Sequence, residues 1–485
     1  MILVIRNHSF HYEMENLCRV FFPFEKIKVL RDGEACGDAG QVVTSVSNTD
    51  GGSIITVIAD IDGSHAQRES FTADTEDSER VMAEALFSVL SEITGYVPPW
   101  GILTGVRPSK LMNTLINELG ADGAKAYFKD KLLASDGKTV LAFNVADAER
   151  EIMSLSDERS FSLYVSIPFC PTRCDYCSFV SHSIDKAKKL LPEYVEKLKE
   201  EIRLTASAAS GLGLRLESIY WGGGTPTTLS AEQLDGICEE IERSFDLSRL
   251  RDYTIEAGRA DTVTREKLEV MRRRGVGRIS INPQTFNDRV LETIGRRHTV
   301  ADVLEAYESA RNAGFESINM DLIAGLTSDT LESFRNTVDT AVGLHPENIT
   351  LHTLALKRSS RIVTGGVEVE SGKITNKMLE YAADKFYEGG YKPYYMYRQS
   401  RSLGNLENVG WCVPGKECLY NVFMMEECHT VLAVGAGAVT KLKEPRGRNI
   451  ERVFNFKYPY EYISRFGELA GRKKSIAEFY DRYSR

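Results

Sequence analysis

Cysteine is scarce in this chain, nine in 485 residues, and the odd number is scattered along the whole length. That excludes a secreted disulfide framework and reads as a cytoplasmic protein, in which clustered thiols serve metals or chemistry. Long hydrophobic runs are missing as well. None approaches the roughly 18 residues that a membrane span needs, and the opening MILVIRNHSF has neither a basic region ahead of an extended apolar segment nor a small-residue cleavage site. Basic charge is not in excess: a formal net charge of −9 excludes sequence-independent binding to nucleic acid as the main role, because that needs a concentrated cationic face. Apolar material is plentiful, with 42% hydrophobic and 9% aromatic residues, and the length fits about two to four domains.

The patterning predicts three. Residues 1–155 read as an α+β domain, with short apolar runs (MILVI, SIITVIADI) bounded by Asp and Gly turns, then SERVMAEALFSVLSEITG at helical spacing. The stretch VPPWGILTGVRPSKLMNTLINELG, with its Pro-Pro break and a helix starting near Pro108, is either a packed connector or a loop that touches substrate. Across 156–365 six strand-like runs alternate with amphipathic helices, which implies parallel strands and right-handed crossovers: an α/β fold, a partial (β/α)6 TIM-like barrel. Residues 366–485 read as a mostly helical third domain covering the active site, ending in the glycine-containing run HTVLAVGAGAVTKL.

In such barrels chemistry gathers at the carboxyl ends of the strands. There, YVSIPFCPTRCDYCSF places Cys170, Cys174 and Cys177 on the first loop. Three thiolates can hold three irons of a four-iron, four-sulfur cluster and leave one iron open, or they can bind zinc with His182 as fourth ligand. YWGGGTPT follows the second strand, and without side chains at those positions a ligand can approach backbone N–H groups closely. Glu256, in TIEAG, is costly at a barrel rim unless a positive ligand group pairs with it. Gln284, Arg296 and Asp321 add an amide, a guanidinium and a carboxylate suited to hydroxyls and a carboxylate. Cys412, Cys418 and Cys428 match no common ligand spacing and read as packing residues.

Together the CxxxCxxC loop, YWGGGTPT, TIEAG, RISINPQTFNDRVLETIGRRH and INMDLIAGL resemble the radical S-adenosylmethionine (SAM) superfamily, and more closely the oxygen-independent coproporphyrinogen III oxidase family over about residues 160–445. GNLENVGWCVPGKECLYNVFMMEE and VGAGAVTK resemble its HemZ branch. The resemblance implies a [4Fe–4S] cluster on Cys170, Cys174 and Cys177 whose open iron is chelated by SAM. A SAM-derived 5′-deoxyadenosyl radical would then drive oxidative decarboxylation of coproporphyrinogen III to protoporphyrinogen IX in anaerobic haem biosynthesis. Carried over by position, Tyr176 packs near the adenosine, Glu256 holds the methionyl portion and Val439 lines the adenine. Gly224, Thr225, Gln284, Arg296, Asp321 and Ala355 form a second SAM site, and Tyr164 and Gly223 meet the porphyrinogen. An unidentified electron donor completes the partners of an expected monomer.

The substrate's carboxylates make Arg173, Arg296, Arg297, Lys357 and Arg358 candidate anion partners. The chain also departs from its relatives. The oxidases carry a further cysteine where Phe179 stands, and Gly-Val where Asn282 and Pro283 stand. The related haem chaperones carry a histidine in the stretch that is YNVFMM here, so His429 or Cys428 would have to substitute as haem ligand. A haem chaperone and a radical SAM enzyme acting on another tetrapyrrole are the alternative readings.

Overall fold

The computed structural model describes residues 1–32, 40–73, 77–177, 182–355, 372–399 and 402–483. Phe179, Lys357 and Arg358 lie outside them. The chain divides into two compact units, the first comprising Met1–Ala146 with Ser371–Asn376 and Met396–Glu407, the second the remainder.

In the first unit, period-two alternation builds a five-stranded sheet from β1 (Ile2–Arg6), β2 (Lys28–Arg31), β3 (Gln41–Thr49), β4 (Gly52–Ile61) and β5 (Ser64–Ala73), in the order β2-β1-β3-β4-β5. β1 runs parallel to β2 and β3, and β3, β4 and β5 form antiparallel hairpins. Ile55, Val57, Ala59 and Ile61 of β4 point one way and join Leu17, Met82 and Leu86 from helices His11–Phe21 and Ser78–Thr94 in one core. The second helix starts where Asp77 accepts a hydrogen bond from the Arg80 amide (3.2 Å) and stops at Gly95, whose φ of 61° suits glycine.

The connector is packed. Trp100 is buried, and its indole N–H donates to Glu407 Oε2 (2.6 Å) while Lys138 Nζ donates to Glu407 Oε1 (2.5 Å). Arg398 donates from Nε to the Gly105 carbonyl (2.9 Å) and lies over the Trp100 ring at 5.2 Å. Burial alone would push the Glu407 carboxyl up, but Lys138 and Trp100 hold it below the usual carboxylate range.

The second unit carries the predicted barrel. β6 (Ser160–Ile167), β9 (Arg215–Gly223), β10 (Asp252–Glu256), β11 (Arg278–Ser280), β12 (Ser317–Ala324) and β13 (Asn348–Thr353) are mutually parallel neighbours in that order, and the short pair β7 (Phe169–Cys170) and β8 (His182–Ser183) lies above β6. Leu163, Val165, Ile219, Trp221, Ile255 and Ile279 join the core shared with the helices. The alternate positions are polar: Ser162, Tyr164, Ser218, Tyr220, Thr254, Asn319 and Thr350. At the amino ends a loop closes the barrel. Arg278 donates to the Lys416 and Glu417 carbonyls (2.9 Å each), Asn348 Nδ2 to the Lys416 carbonyl (2.8 Å), and the Leu419 amide to Asp252 (3.0 Å). Cys412 and Cys418 are buried in this plug, as packing residues, and burial pushes the Cys418 thiol up to about 12.

Two expectations change. The last third does not stand apart as a mostly helical domain. Its helices exist, but β16 (Thr430–Val434) adds in parallel to β6, followed by antiparallel β17 (Val439–Lys443) and β18 (Ile450–Phe454). At the other edge β15 (Glu407–Cys412) pairs antiparallel with β13, and β14 (Lys392–Arg398) follows. A partial barrel has two open edges, and these strands cover them. Nor do residues 1–155 complete the first unit, because Met396–Glu407 supplies the acceptor for Lys138 and Trp100.

A fragment of residues 1–155 is therefore expected to lack a cooperative unfolding transition. In the full chain Glu407→Gln strands a buried ammonium and is expected to cost about 3–5 kcal/mol. Denaturant unfolding measures both, and a cooperatively folded fragment would overturn this account of the first unit.

Candidate functional site

The carboxyl ends of β6 and β9 are drawn together by backbone. Gly224 N–H donates to the Ile167 carbonyl (2.8 Å) and Thr225 N–H to the Phe169 carbonyl (2.7 Å). A Cβ on Gly224 would come within 2.5 Å of the Phe169 carbonyl oxygen, so only glycine fits. Thr225 Oγ1 is consequently 3.5 Å from Cys170 Sγ. Cys174 and Cys177 share one turn, with the Cys177 amide on the Cys174 carbonyl at 3.1 Å. Among the described residues no three His, Cys, Asp or Glu side chains converge closely enough to hold a metal ion. The three cysteines share one loop. Cys174 Sγ lies 3.8 Å from Arg259 Nη1, whose guanidinium also donates to Thr172 Oγ1 (3.0 Å) and pairs with Asp261.

Arg296 ties three strand ends together. Its Nη1 donates to the carbonyls of Gly258 (3.2 Å) and Asn282 (2.9 Å), and its Nη2 to the Tyr176 hydroxyl (2.9 Å). Arg296 is buried and its Nε has no hydrogen-bond partner among the described residues, whereas Arg173 and Arg297 are exposed. Asp321 accepts from Asn282 Nδ2 (2.7 Å) and Asn319 Nδ2 (2.8 Å), and its carbonyl accepts the Gln284 amide (2.9 Å). Gln284 is a non-glycine residue at φ 67°, 5% exposed, and its Oε1 has no hydrogen-bond partner among the described residues. Strain and an unsatisfied buried acceptor at one residue make it a candidate ligand contact.

Glu256 accepts from the Tyr220 hydroxyl at 2.6 Å. Burial pushes its carboxyl up to about 7, against the Tyr220 hydrogen bond, which favours the charged form, and with the help of nearby Asp321. A Cβ on Gly222 would sit 3.1 Å from Glu256 Oε1, so the glycine leaves the carboxylate its room. Tyr220 is stacked on Tyr420 (centroids 4.5 Å apart), and Tyr164 is stacked on both at 6.4 and 6.0 Å, an aromatic wall beside the carboxylate.

The expected residues Cys170, Cys174, Tyr176, Thr225, Gly224, Glu256, Gln284, Arg296 and Asp321 thus share one rim, linked by these contacts. Gly223 packs with its Cα side toward Ser166 Oγ. Ala355 lies two residues beyond β13 and Val439 opens β17, and neither joins the hydrogen-bonded network. His182 presents its ring edge to Tyr458 (5.9 Å, 81°). Arg259, Asn282, Tyr220 and Tyr420 are additions. Tyr220 and Asn282 stand inside the quoted strand-end motifs and Arg259 directly follows TIEAG, whereas Tyr420 arrives from the helix Leu419–Glu426.

A parallel β/α barrel with this rim is the arrangement of radical SAM proteins, and the Radical SAM superfamily model matches residues 164–341. Over 98% of this chain, identity is 34% to the oxygen-independent coproporphyrinogen-III oxidase-like protein HemZ of Bacillus subtilis (strain 168), 97% of which is covered. Heme chaperone HemW of Lactococcus lactis subsp. lactis (strain IL1403) is 31% identical over 65% of this chain and 79% of its own length. Among solved structures, coproporphyrinogen III oxidase (HemN) from Escherichia coli, described as a radical SAM enzyme, has the same fold, with a TM-score of 0.53 at 22% identity over 67% of this chain and 73% of that one. The chain belongs to the HemN/HemW-like family of oxygen-independent coproporphyrinogen III oxidases and their relatives, in the HemZ branch.

Members of the superfamily use a [4Fe–4S] cluster and SAM. The donor set fits them: three thiols on one loop, arginine beside Cys174, close backbone approach at Gly224, and the unsatisfied Gln284 Oε1.

Tyr220→Phe removes the donor that favours ionised Glu256, so the carboxyl is expected to titrate above its value of about 7. Carbon-13 NMR of glutamate-labelled protein, with Glu256→Gln to assign the resonance, measures this; an unmoved or lower midpoint would show that the hydroxyl does not stabilise the carboxylate.

Proposed function

We propose that the protein performs oxygen-independent oxidative decarboxylation of coproporphyrinogen III to protoporphyrinogen IX. When bound, the cluster and SAM supply a 5′-deoxyadenosyl radical able to take a hydrogen atom from a propionate side chain. Cys170, Cys174 and Cys177 would hold the cluster. Glu256, ionised, would pair with the methionyl ammonium, Tyr176 would flank the adenosine with its hydroxyl fixed by Arg296, and Val439 would line the adenine. Gly224, Thr225, Gln284, Arg296, Asp321 and Ala355 would form a second SAM-sized site, with Tyr164 and Gly223 toward the porphyrinogen. The electron donor is a separate partner, and the setting is cytoplasmic.

Gln284 carries this reading: a strained, buried amide with an open acceptor beside Asp321 is an organised ligand contact beyond what cluster and one SAM require. Two groups weigh against the chaperone reading. His429 is 3% exposed, with Nδ1 on Ser156 Oγ (2.5 Å) and Nε2 on Ser162 Oγ (2.7 Å), and burial pushes its ring down to about 3. Burial likewise pushes the Cys428 thiol up to about 12, away from thiolate.

The test is anaerobic reconstitution with SAM, a reductant and coproporphyrinogen III, followed by chromatography and mass analysis of tetrapyrroles. One- and two-vinyl products are expected; 5′-deoxyadenosine formed without any change in tetrapyrrole mass sinks the reading, and stoichiometric haem uptake would favour a chaperone. Cys174→Ala is expected to abolish both the broad brown absorption and SAM cleavage, and a variant that keeps both overturns the ligand assignment.

A further inference from the structure

Glu201, in the helix Leu191–Gly211, is entirely buried and belongs to none of the motifs above. Its carboxylate has four donors. Oε2 accepts from the Gly435 amide (2.8 Å) and the Tyr462 hydroxyl (2.6 Å), and Oε1 from Asn455 Nδ2 (2.8 Å) and Lys473 Nζ (2.8 Å). Lys473, itself buried, donates also to the Ala433 carbonyl (2.8 Å), and Asn455 Nδ2 to the Gly435 carbonyl (2.8 Å). A buried ion pair with this many partners fixes geometry more than it adds stability.

What it fixes is the turn Gly435–Ala438 between β16 and β17. Two helical turns earlier than Glu201, Tyr194 accepts the Ala436 amide on its hydroxyl (3.0 Å) and donates that hydroxyl to the Ser166 carbonyl (2.8 Å), while Ser166 Oγ donates to the Ala436 carbonyl (2.8 Å). Gly435 stands at φ 94°, and a Cβ there would come within 2.4 Å of the Ser166 carbonyl oxygen. The turn is clamped from both sides against the end of β6, three residues before Phe169 and the cysteine loop, and Val439 leaves it directly into β17.

We infer that Glu201, with Lys473 as its counter-ion, is a positioning residue that holds the Gly435–Val439 turn in the shape that receives the adenosine of SAM. The inference rests on the proposed placement of the adenine against Val439. Glu201→Gln keeps the side chain's shape but leaves Lys473 without its charge partner and forces an amide N–H among donors.

The readout is binding to the anaerobically reconstituted full chain by equilibrium dialysis, with SAM, 5′-methylthioadenosine and methionine as probes. In Glu201→Gln and in the milder Tyr462→Phe, the cluster absorption is expected to stay intact. Affinity for SAM and 5′-methylthioadenosine should fall together, by roughly tenfold to a hundredfold in Glu201→Gln, the scale seen when an outer partner of a ligand-holding group is lost. Methionine affinity should be unchanged. Equal loss for all three probes, or no loss in either variant, overturns the inference. Val439→Trp separates the two layers: if it leaves 5′-methylthioadenosine binding unchanged, the adenine placement itself fails; if it weakens binding while both network variants bind normally, only the role of Glu201 fails.

Discussion

The close backbone approach between the ends of β6 and β9 is the constraint on which the site depends. Two amides of the glycine run, at Gly224 and Thr225, take the carbonyls of Ile167 and Phe169, and a single methyl group at Gly224 would collide with both. Because the cysteine loop begins at Phe169, its start is set by these two hydrogen bonds and not by its own sequence. The same run leaves space at Gly222 for the Glu256 carboxylate on the next strand. One stretch of missing side chains therefore locates the thiol loop, admits the third strand's carboxylate and leaves backbone available to a ligand.

The polar inner rows of the barrel follow from what surrounds them. The outward rows meet helices and are apolar, whereas the inward rows pair with one another, as Ser162 with Ser218 (2.6 Å) and Asn319 with Thr350 (3.0 Å), so polar side chains there are satisfied laterally. The plug at Arg278, Asp252 and Asn348 closes the amino ends with charge-assisted hydrogen bonds to backbone carbonyls and amides. Access to the rim is thereby left to the carboxyl ends, where the βα loops converge.

Much of this was legible in the sequence because the relevant signals are local. Cys170, Cys174 and Cys177 are held close by covalent spacing, and the six strands announce themselves by runs bounded by turns, with glycine or polar residues at or just beyond their ends. What was not legible depends on pairings distant in sequence. The strands after residue 390 read as a separate domain because nothing in HTVLAV says which sheet edge it will join, and the helical stretches between them dominate the pattern. Glu407 is 269 residues from Lys138, and Tyr420 reaches the Tyr164 and Tyr220 rings from a helix with no periodic relation to the barrel. Arg296 shows the same limit: its strand-end position was evident, but the three acceptors it reaches were not.

Buried charge separates the parts that build the protein from the parts that meet ligand. Glu201 has four donors, and Glu407 has Lys138 and Trp100; each is compensated by protein groups, as a low-dielectric interior requires. Glu256 differs: among the described residues the Tyr220 hydroxyl is its one donor, and its carboxyl is pushed up accordingly. Gln284 differs in the same direction, with a buried Oε1 unsatisfied on a strained backbone. A cationic group arriving at Glu256 restores the compensation that protein side chains supply elsewhere, and a donor arriving at Gln284 does the same for an amide oxygen. Glu256 and Gln284 sit on neighbouring strand ends of the rim that carries the thiols, where an arriving ligand can supply the partner each lacks.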